Sequence, residues 1–365
     1  MMLAWAEIRR SSGRFISIIG ALSLITFLVL TLSALSDGLF YGSTGAVKSP
    51  AAQAYVFSAD AQGSFIRSRL PAAEVARYGD VAGINSAAPL GVLLSSAEAN
   101  NQELDVAIFG IDPNGASAPE TIVDGRLPAQ GENGVAAIDN AAKDVSIGST
   151  VTVGDTSVEV VGLTSGSTYQ LQPTLWTTVP TWTAMQESVR PETRGLPPFV
   201  SAIALTLDAG TTVESLIPLE GTKILTDEAA ALAIPGVEQQ RSTLDSIIYT
   251  TLLVAALVVA LFFALIVLEK RDLFAALKAL GTSTGRLGNT VIIQAVFASV
   301  IGVILGAIAS RVLGVVAPDD VPTLFLTSTV IQISIFTIVA SVLGAVFSLR
   351  RIAKIDPATA LGGNL

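Results

Sequence analysis

The 365 residues contain no cysteine and no histidine, and only three methionines. A disulfide framework, a thiol nucleophile, a zinc site and a histidine-based triad are therefore excluded within this chain. Charged residues make up only 14% of the sequence, against about 25% in an ordinary soluble domain. Their scarcity is concentrated in a few long apolar runs, which excludes a simple soluble protein. The formal net charge is −9, so no basic footprint for nucleic acid is present. No G-x-x-x-x-G-K-[ST] occurs. The nearest approach, Gly281-Thr-Ser-Thr-Gly285-Arg286, has the wrong spacing and lacks the lysine, so this chain has no P-loop of its own for ATP. Carboxylates are plentiful, but no spacing fixes two of them in one cleft. No catalytic residue, resident metal or permanently bound cofactor is expected.

Four stretches carry no charge at all: Phe15 to Ser36, Ser246 to Leu268, Leu287 to Ser310, and Val321 to Leu349. Each exceeds the roughly 20 residues that cross ~30 Å of hydrocarbon. The first is too long for the 7–15-residue apolar core of a signal peptide and lacks a clean A-x-A site, so it reads as an uncleaved anchor. The segments 1–14, 269–286 and 350–365 hold 10 of the 21 basic residues. The positive-inside rule makes that side cytoplasmic, with both termini inside. The expected organisation is a cytoplasmic segment 1–14, a span 15–36, and an extracytoplasmic domain 37–245. A span 246–268, a cytoplasmic helix and loop 269–286, a span 287–316, an external loop 317–323, a span 324–349 and a cytoplasmic tail 350–365 complete it. The fold class is thus an α-helical membrane protein with four transmembrane helices and an α+β domain inserted between helices 1 and 2.

The inserted domain carries 10 basic and 24 acidic residues, net −14, and lacks cysteine to cross-link it outside the cell. Val151-Thr-Val-Gly-Asp-Thr-Ser-Val-Glu-Val-Val161 reads as a hairpin turning at Gly154-Asp155, and Ser201 to Leu207 as a further strand. Helices are expected near Pro71–Tyr78 and Thr226–Leu232. On the cytoplasmic side, Leu273, Phe274, Leu277 and Leu280 recur at helical spacing before Gly281, which sits where a left-handed cap belongs. Such a helix either lies on the lipid surface or docks a cytoplasmic partner. In the third span Gly302, Gly306 and Ser310 form a small-xxx-small face, suited to packing within the bundle or to a dimer contact.

This layout, with Leu3-Ala-Trp-Ala-Glu-Ile-Arg-Arg10, the Glu269-to-Gly281 helix and the ending Arg350-Arg-Ile-Ala-Lys-Ile-Asp-Pro-Ala-Thr-Ala-Leu361, resembles the FtsX/MacB-type permeases of ABC transporters. The resemblance implies a separate cytoplasmic ATPase subunit, which binds ATP and Mg, and a second copy of this chain in the membrane. It makes Glu269, Lys270, Arg271, Leu273, Phe274, Leu277 and Leu280 the segment that contacts the ATPase. Leu35-Ser-Asp-Gly-Leu39, Ala54-Tyr-Val-Phe-Ser-Ala-Asp-Ala-Gln62, Phe109-Gly-Ile-Asp112, Val123-Asp-Gly-Arg126, Ile147-Gly148 and Val160-Val-Gly-Leu-Thr164 further run in the order seen in HrtB-type haem-efflux permeases. That narrower resemblance implies haem as the transported substrate, captured in the outer leaflet between two permease copies. The same family also offers exporters of peptides, drugs or lipoproteins, and FtsX-like regulators of cell-wall hydrolases.

A haem site needs an apolar slot, an axial ligand and a cation near the propionates. Without histidine, and with no methionine in any span, the donors left are tyrosine, carboxylate or the Met185 thioether. Only the outer ends of spans one and two are well stocked. Phe40 and Tyr41 could wall a slot, and Arg241 suits a propionate. Asp37, Asp245 and Tyr249 could ligate, Tyr249 lying one turn past Asp245. The plainer roles are interfacial anchoring for the tyrosines, helix ends in water for the aspartates, and core packing for Met185.

Overall fold

The computed structural model describes residues 12–269, 271–318 and 321–353. Arg9, Arg10, Lys270 and Lys354 lie outside the described residues, and only the backbone is described for Arg271, Phe274, Arg350 and Arg351. The chain divides into two compact units, residues 39–241 and residues 1–38 with 242–365.

Helix α1 (Ser12–Lys48) has 37 residues, about 55 Å at 1.5 Å per residue. It does not end at Asp37 but continues through Gly38, Gly42 and Gly45 to Lys48. Its last ten residues belong to the unit 39–241, where Phe40, Ala46 and Val47 enter the core. That unit is built of strands β1 (Ala54–Ser58) and β2 (Leu70–Pro71), helix α2 (Glu74–Gly79), and strands β3 (Ile84–Ala99), β4 (Gln102–Ile111), β5 (Ile122–Gly125), β6 (Val135–Asp139), β7 (Thr150–Val153), β8 (Thr156–Thr164) and β9 (Thr174–Thr178). Helix α3 (Val179–Val189), strands β10 (Phe199–Val200), β11 (Ala202–Leu207) and β12 (Thr222–Thr226) and helix α4 (Asp227–Leu232) complete it.

One sheet runs in the order β12-β1-β11-β3-β4-β9-β6-β8-β5, with β7 pairing β3 and β8. The β4–β9 and β6–β8 pairs are parallel and the others antiparallel. The β7–β8 hairpin turns at Gly154, φ +56°, as its sequence requires. The long β3–β4 hairpin turns on Asn100 and Asn101, at φ +50° and +61°, the pair of left-handed residues a two-residue turn demands. The helix expected from Pro71 starts only at Glu74, because Pro71 is taken up pairing with Phe199 in a two-stranded ribbon. Aromatic rings fill the centre: Phe65 packs edge-on to Tyr55, Phe57 and Tyr169, and Phe109 lies 5.0 Å from Trp176 between ring centroids. Met185 is fully buried beside Trp182, as core.

In the helical unit, α1 is joined by α5 (Val237–Glu269), α6 (Arg271–Ala279), α7 (Thr284–Val316) and α8 (Thr327–Ala353); the first five residues of α5 belong to the other unit. Helices α1, α5, α7 and α8 are each long and apolar enough to cross a membrane. The small-xxx-small face of α7 is spent inside the chain. Gly302 lies against Leu22, Gly306 against Ser23 and Thr26, and Ser310 shares a 3.1 Å hydroxyl contact with Thr31, all on α1. Gly344 of α8 gives the same close approach to Ala256 and Ala260 of α5. Where apolar side chains meet lipid as readily as one another, such backbone approach supplies the packing. Gly38 makes room for the Pro322 carbonyl, and Leu324 donates its N–H to the Ala34 carbonyl at 2.9 Å.

Candidate functional site

Among the residues expected to form a site, the unit 39–241 brings three together and adds a fourth. The Arg241 guanidinium lies 4.2 Å from the centroid of the Phe40 ring, and the Lys48 ammonium 5.8 Å from it. Tyr41 meets the same ring edge-on at 5.6 Å. Phe40 and Lys48 stand two helical turns apart on α1, so one face of the helix presents both. Lys48 also lies 4.0 Å from the Asp227 carboxylate. Two cations beside one aromatic ring attract through its quadrupole, more strongly where water is thinned. Phe40 itself is 8% exposed and Tyr41 41%. The open wall is therefore Tyr41, while Phe40 is the platform on which Arg241 is stacked.

The other three lie in the helical unit. Asp37 on α1 and Asp245 on α5 are half-buried. Ile248 packs with Val29 and Leu30 of α1 and Ile333 of α8, which turns its neighbour Tyr249 outward, 66% exposed. Tyr249 is thus presented on the outer face of α5, the geometry that an interfacial anchor and an exposed ligand share. A groove of about 450 Å³ beside it is lined by Ser242, Thr243, Ser246, Ile247, Thr250 and Thr251. The sequence carried a signal for this face in the four-residue spacing of Ser242, Ser246 and Thr250. The hydroxyls of Ser246 and Thr251 donate back to the carbonyls of Ser242 and Ile247, each at 2.8 Å, so the surface is small and only weakly polar.

On the other side of the bundle, α6 ends in a turn with Gly281 at φ +90°. The N–H of Gly281 reaches the Lys278 carbonyl and that of Thr282 the Leu277 carbonyl, each at 3.0 Å, a left-handed C-cap. Ala275 is buried among Ile266, Val267, Leu287 and Val291, with Leu277 packed against it. Leu273 and Leu280 stay exposed, Leu280 at 83%, as does Glu269. The helix is thus fixed by one face and presents apolar side chains on another.

Electrostatics in the inserted unit reinforce its fixed parts. The Tyr55 hydroxyl donates to the Val47 carbonyl near the end of α1 at 2.6 Å, and burial, then the Asp227 charge, pushes its ionisation far up. Arg126 grips Glu132 with two N–H groups at 2.6 and 2.8 Å, holding that carboxyl down at about 2.

Residues 246–357 match the family model of the FtsX-like permease C-terminal region, and residues 15–217, more than half of the chain, match the MacB-like periplasmic core domain. A Staphylococcus haemolyticus protein provisionally named hemin transport system permease protein HrtB is 22% identical over 100% of this chain and 99% of its own length. An ABC transporter permease of Mycobacterium tuberculosis is 25% identical over 100% of this chain and 99% of its own. Among solved structures, the periplasmic region of MacB from Actinobacillus actinomycetemcomitans is 16% identical, covers 50% of this chain and 92% of that one, and superposes with a TM-score of 0.38. With two family models together spanning both the helices and the inserted domain, this chain belongs to the FtsX/MacB family of ABC transporter permeases.

Proposed function

We propose that this permease is the membrane subunit of an efflux transporter that expels haem, working as two copies with two copies of a separate cytoplasmic ATPase. The feature that carries the haem reading is the set around Phe40: a guanidinium at 4.2 Å, an ammonium at 5.8 Å and an exposed tyrosine. A flat apolar macrocycle with two propionates matches the exposed Tyr41 ring with two cations held close by on Phe40. Full-length likeness to a staphylococcal protein named for hemin transport supports the same cargo. In this reading Arg241, stacked on the buried Phe40 ring, receives a propionate beside the exposed Tyr41 ring; in the helical unit, taken by itself, Asp37, Asp245 and Tyr249 are the candidate oxygen donors. The segment 269–280, with Leu273 and Leu280 exposed, docks the ATPase. Both termini are cytoplasmic and the inserted domain lies outside the cell membrane. ATP binding shifts the permease between two populations and cargo leaves outward, with no bond chemistry in this chain.

The test is a haemin titration of the full chain in nanodiscs, following the Soret band against empty discs. A saturable shift, weakened by Arg241→Gln and altered in wavelength by Tyr249→Phe, is expected. A wild-type response equal to that of empty discs would move the cargo to a peptide, drug or lipoprotein. A shift unchanged in both variants would remove Arg241 and Tyr249 from the site.

A further inference from the structure

Of the 21 basic residues, the segments 1–14, 269–286 and 350–365 together hold ten and the inserted domain ten more. The remaining one is Arg311 on α7. It lies at the end of that helix where Ser310 meets Thr31 of α1, directly after the charge-free run Leu287 to Ser310. That run is about 36 Å long at 1.5 Å per residue and already crosses ~30 Å of hydrocarbon. Arg311 therefore stands at headgroup depth. Its surroundings are apolar in both directions along the helix. Ile304, Ile308, Arg311 and Val315 fall on one face of α7, a helix long and apolar enough to cross a membrane. Ile304 and Ile308 are more than half exposed, and Val315 and Val316, beyond the arginine, are 85% and 74% exposed. Arg311 is thus a cation set within an apolar surface, not one that ends it.

The guanidinium is held in place. It lies 5.0 Å from the centroid of the Phe325 ring. Gly314, one turn further along α7, leaves room for that ring, which a Cβ there would strike. Leu324, next to Phe325, donates its N–H to the Ala34 carbonyl at 2.9 Å, so the ring is fastened to α1. Stacking covers one face of the guanidinium and leaves its edge, which carries the N–H donors, open. Among the described residues no carboxylate pairs with it. An ionisable side chain at membrane depth calls for a partner, and a planar fork of donors fits phosphate oxygens. Every phospholipid offers a phosphate at this depth, but an acidic one lacks the ammonium that the guanidinium repels.

We propose that Arg311 and Phe325 form a binding site for an acidic phospholipid, its phosphate on the guanidinium and an acyl chain along Ile308 and Ile304. The leaflet, the outer one, rests on the orientation proposed above; the preference for an acidic headgroup does not. A chain without native cysteine lets one label report on this face alone. The full chain with Ile308→Cys, carrying bimane on that thiol, is reconstituted in phosphatidylcholine vesicles. A small, equal fraction of either phosphatidylglycerol or phosphatidylcholine bears a nitroxide on its acyl chain, and bimane quenching measures how much of each lies beside the label. The site predicts quenching about threefold or more stronger with phosphatidylglycerol. Arg311→Gln equalises the two lipids, and Arg311→Lys, a point charge without the fork, keeps only part of the preference. A control label at Leu257→Cys, exposed on α5, is quenched equally by both lipids in the wild-type and Arg311→Gln backgrounds. Equal quenching at Ile308→Cys with Arg311 intact, or a preference that survives Arg311→Gln, would overturn the site. Quenching by neither lipid would put a second copy over this face, and loss of the preference in inorganic phosphate at constant ionic strength would assign the site to the free ion; either result removes the lipid. No cargo or ATPase is present in the vesicles, so each outcome leaves the haem reading as it stands.

Discussion

Asp139→Ala should unseat the anchor on which the loop at residues 164–173 depends. The Asp139 side chain is 1% exposed and accepts the Ala141 N–H at 2.9 Å, with the Ser167 N–H and hydroxyl at 2.7 Å. Truncation strands the buried Ser167 N–H, costing about 1–3 kcal/mol, while the Ala141 N–H, on an exposed residue, can turn to water. The Ser167 hydroxyl retains Thr164 and Trp176 as neighbours and adds little. Relief from burying a carboxylate offsets part of the loss, so the expected cost is about 2 kcal/mol. For a unit of this size that lowers the melting temperature by roughly 4–8 °C. Tryptophan fluorescence during thermal unfolding of the full chain in nanodiscs reads it directly, because Trp176 donates into the same cluster. Asp144→Ala, on the exposed surface, should change stability by less than about 0.5 kcal/mol. A shift below about 2 °C for Asp139→Ala would refute the anchoring role.

Gly306→Leu should separate α7 from α1. Even a Cβ there would stand 2.6 Å from the Ser23 carbonyl oxygen, so the cost is about 1–3 kcal/mol, whereas Gly20→Ala, with open space around it, should be neutral; melting of the two variants compares them. Glu132 is held down at about 2 from an ordinary value of 4.5, so its contribution is present above pH 4.5 and lost as pH falls toward 2. Glu132→Gln should flatten that stretch of the acid-unfolding curve, and an unaltered curve would show the Arg126 pair to be without weight. Phe274→Asp should release the ATPase from the purified complex while the chain keeps its melting temperature; undiminished co-purification would remove the 269–280 segment as the docking surface.

The helices were legible because lipid imposes a length and a composition that few other environments share. The Leu287-to-Val316 stretch and the α7 helix differ by only three residues at one end. The hairpin at Gly154 and the cap at Gly281 were readable for local reasons, since a positive φ selects glycine within a few residues of sequence. The outer end of α1 was misleading for the same reason. Asp37-Gly38, followed by Gly42 and Gly45, reads as a helix end, yet these glycines exist so that the Pro322 carbonyl, Leu171 and the Gly166 carbonyl can reach the helix backbone. Those partners lie far away in sequence, and no local pattern announces them. The same non-locality hid the strand order and the role of Lys48, whose amine reaches the Phe40 ring only because the helix continues. Arg241 was identifiable by residue type, but its stack on Phe40 depends on the fold bringing residues 201 positions apart together.

The most direct test is ATP hydrolysis by the permease co-reconstituted with its ATPase in liposomes, measured against haemin concentration. The account predicts a saturable rise with haemin, absent when the ATPase is catalytically inactivated and weakened by Arg241→Gln. Hydrolysis that proceeds at an unchanged rate across the whole haemin range would contradict haem as the cargo.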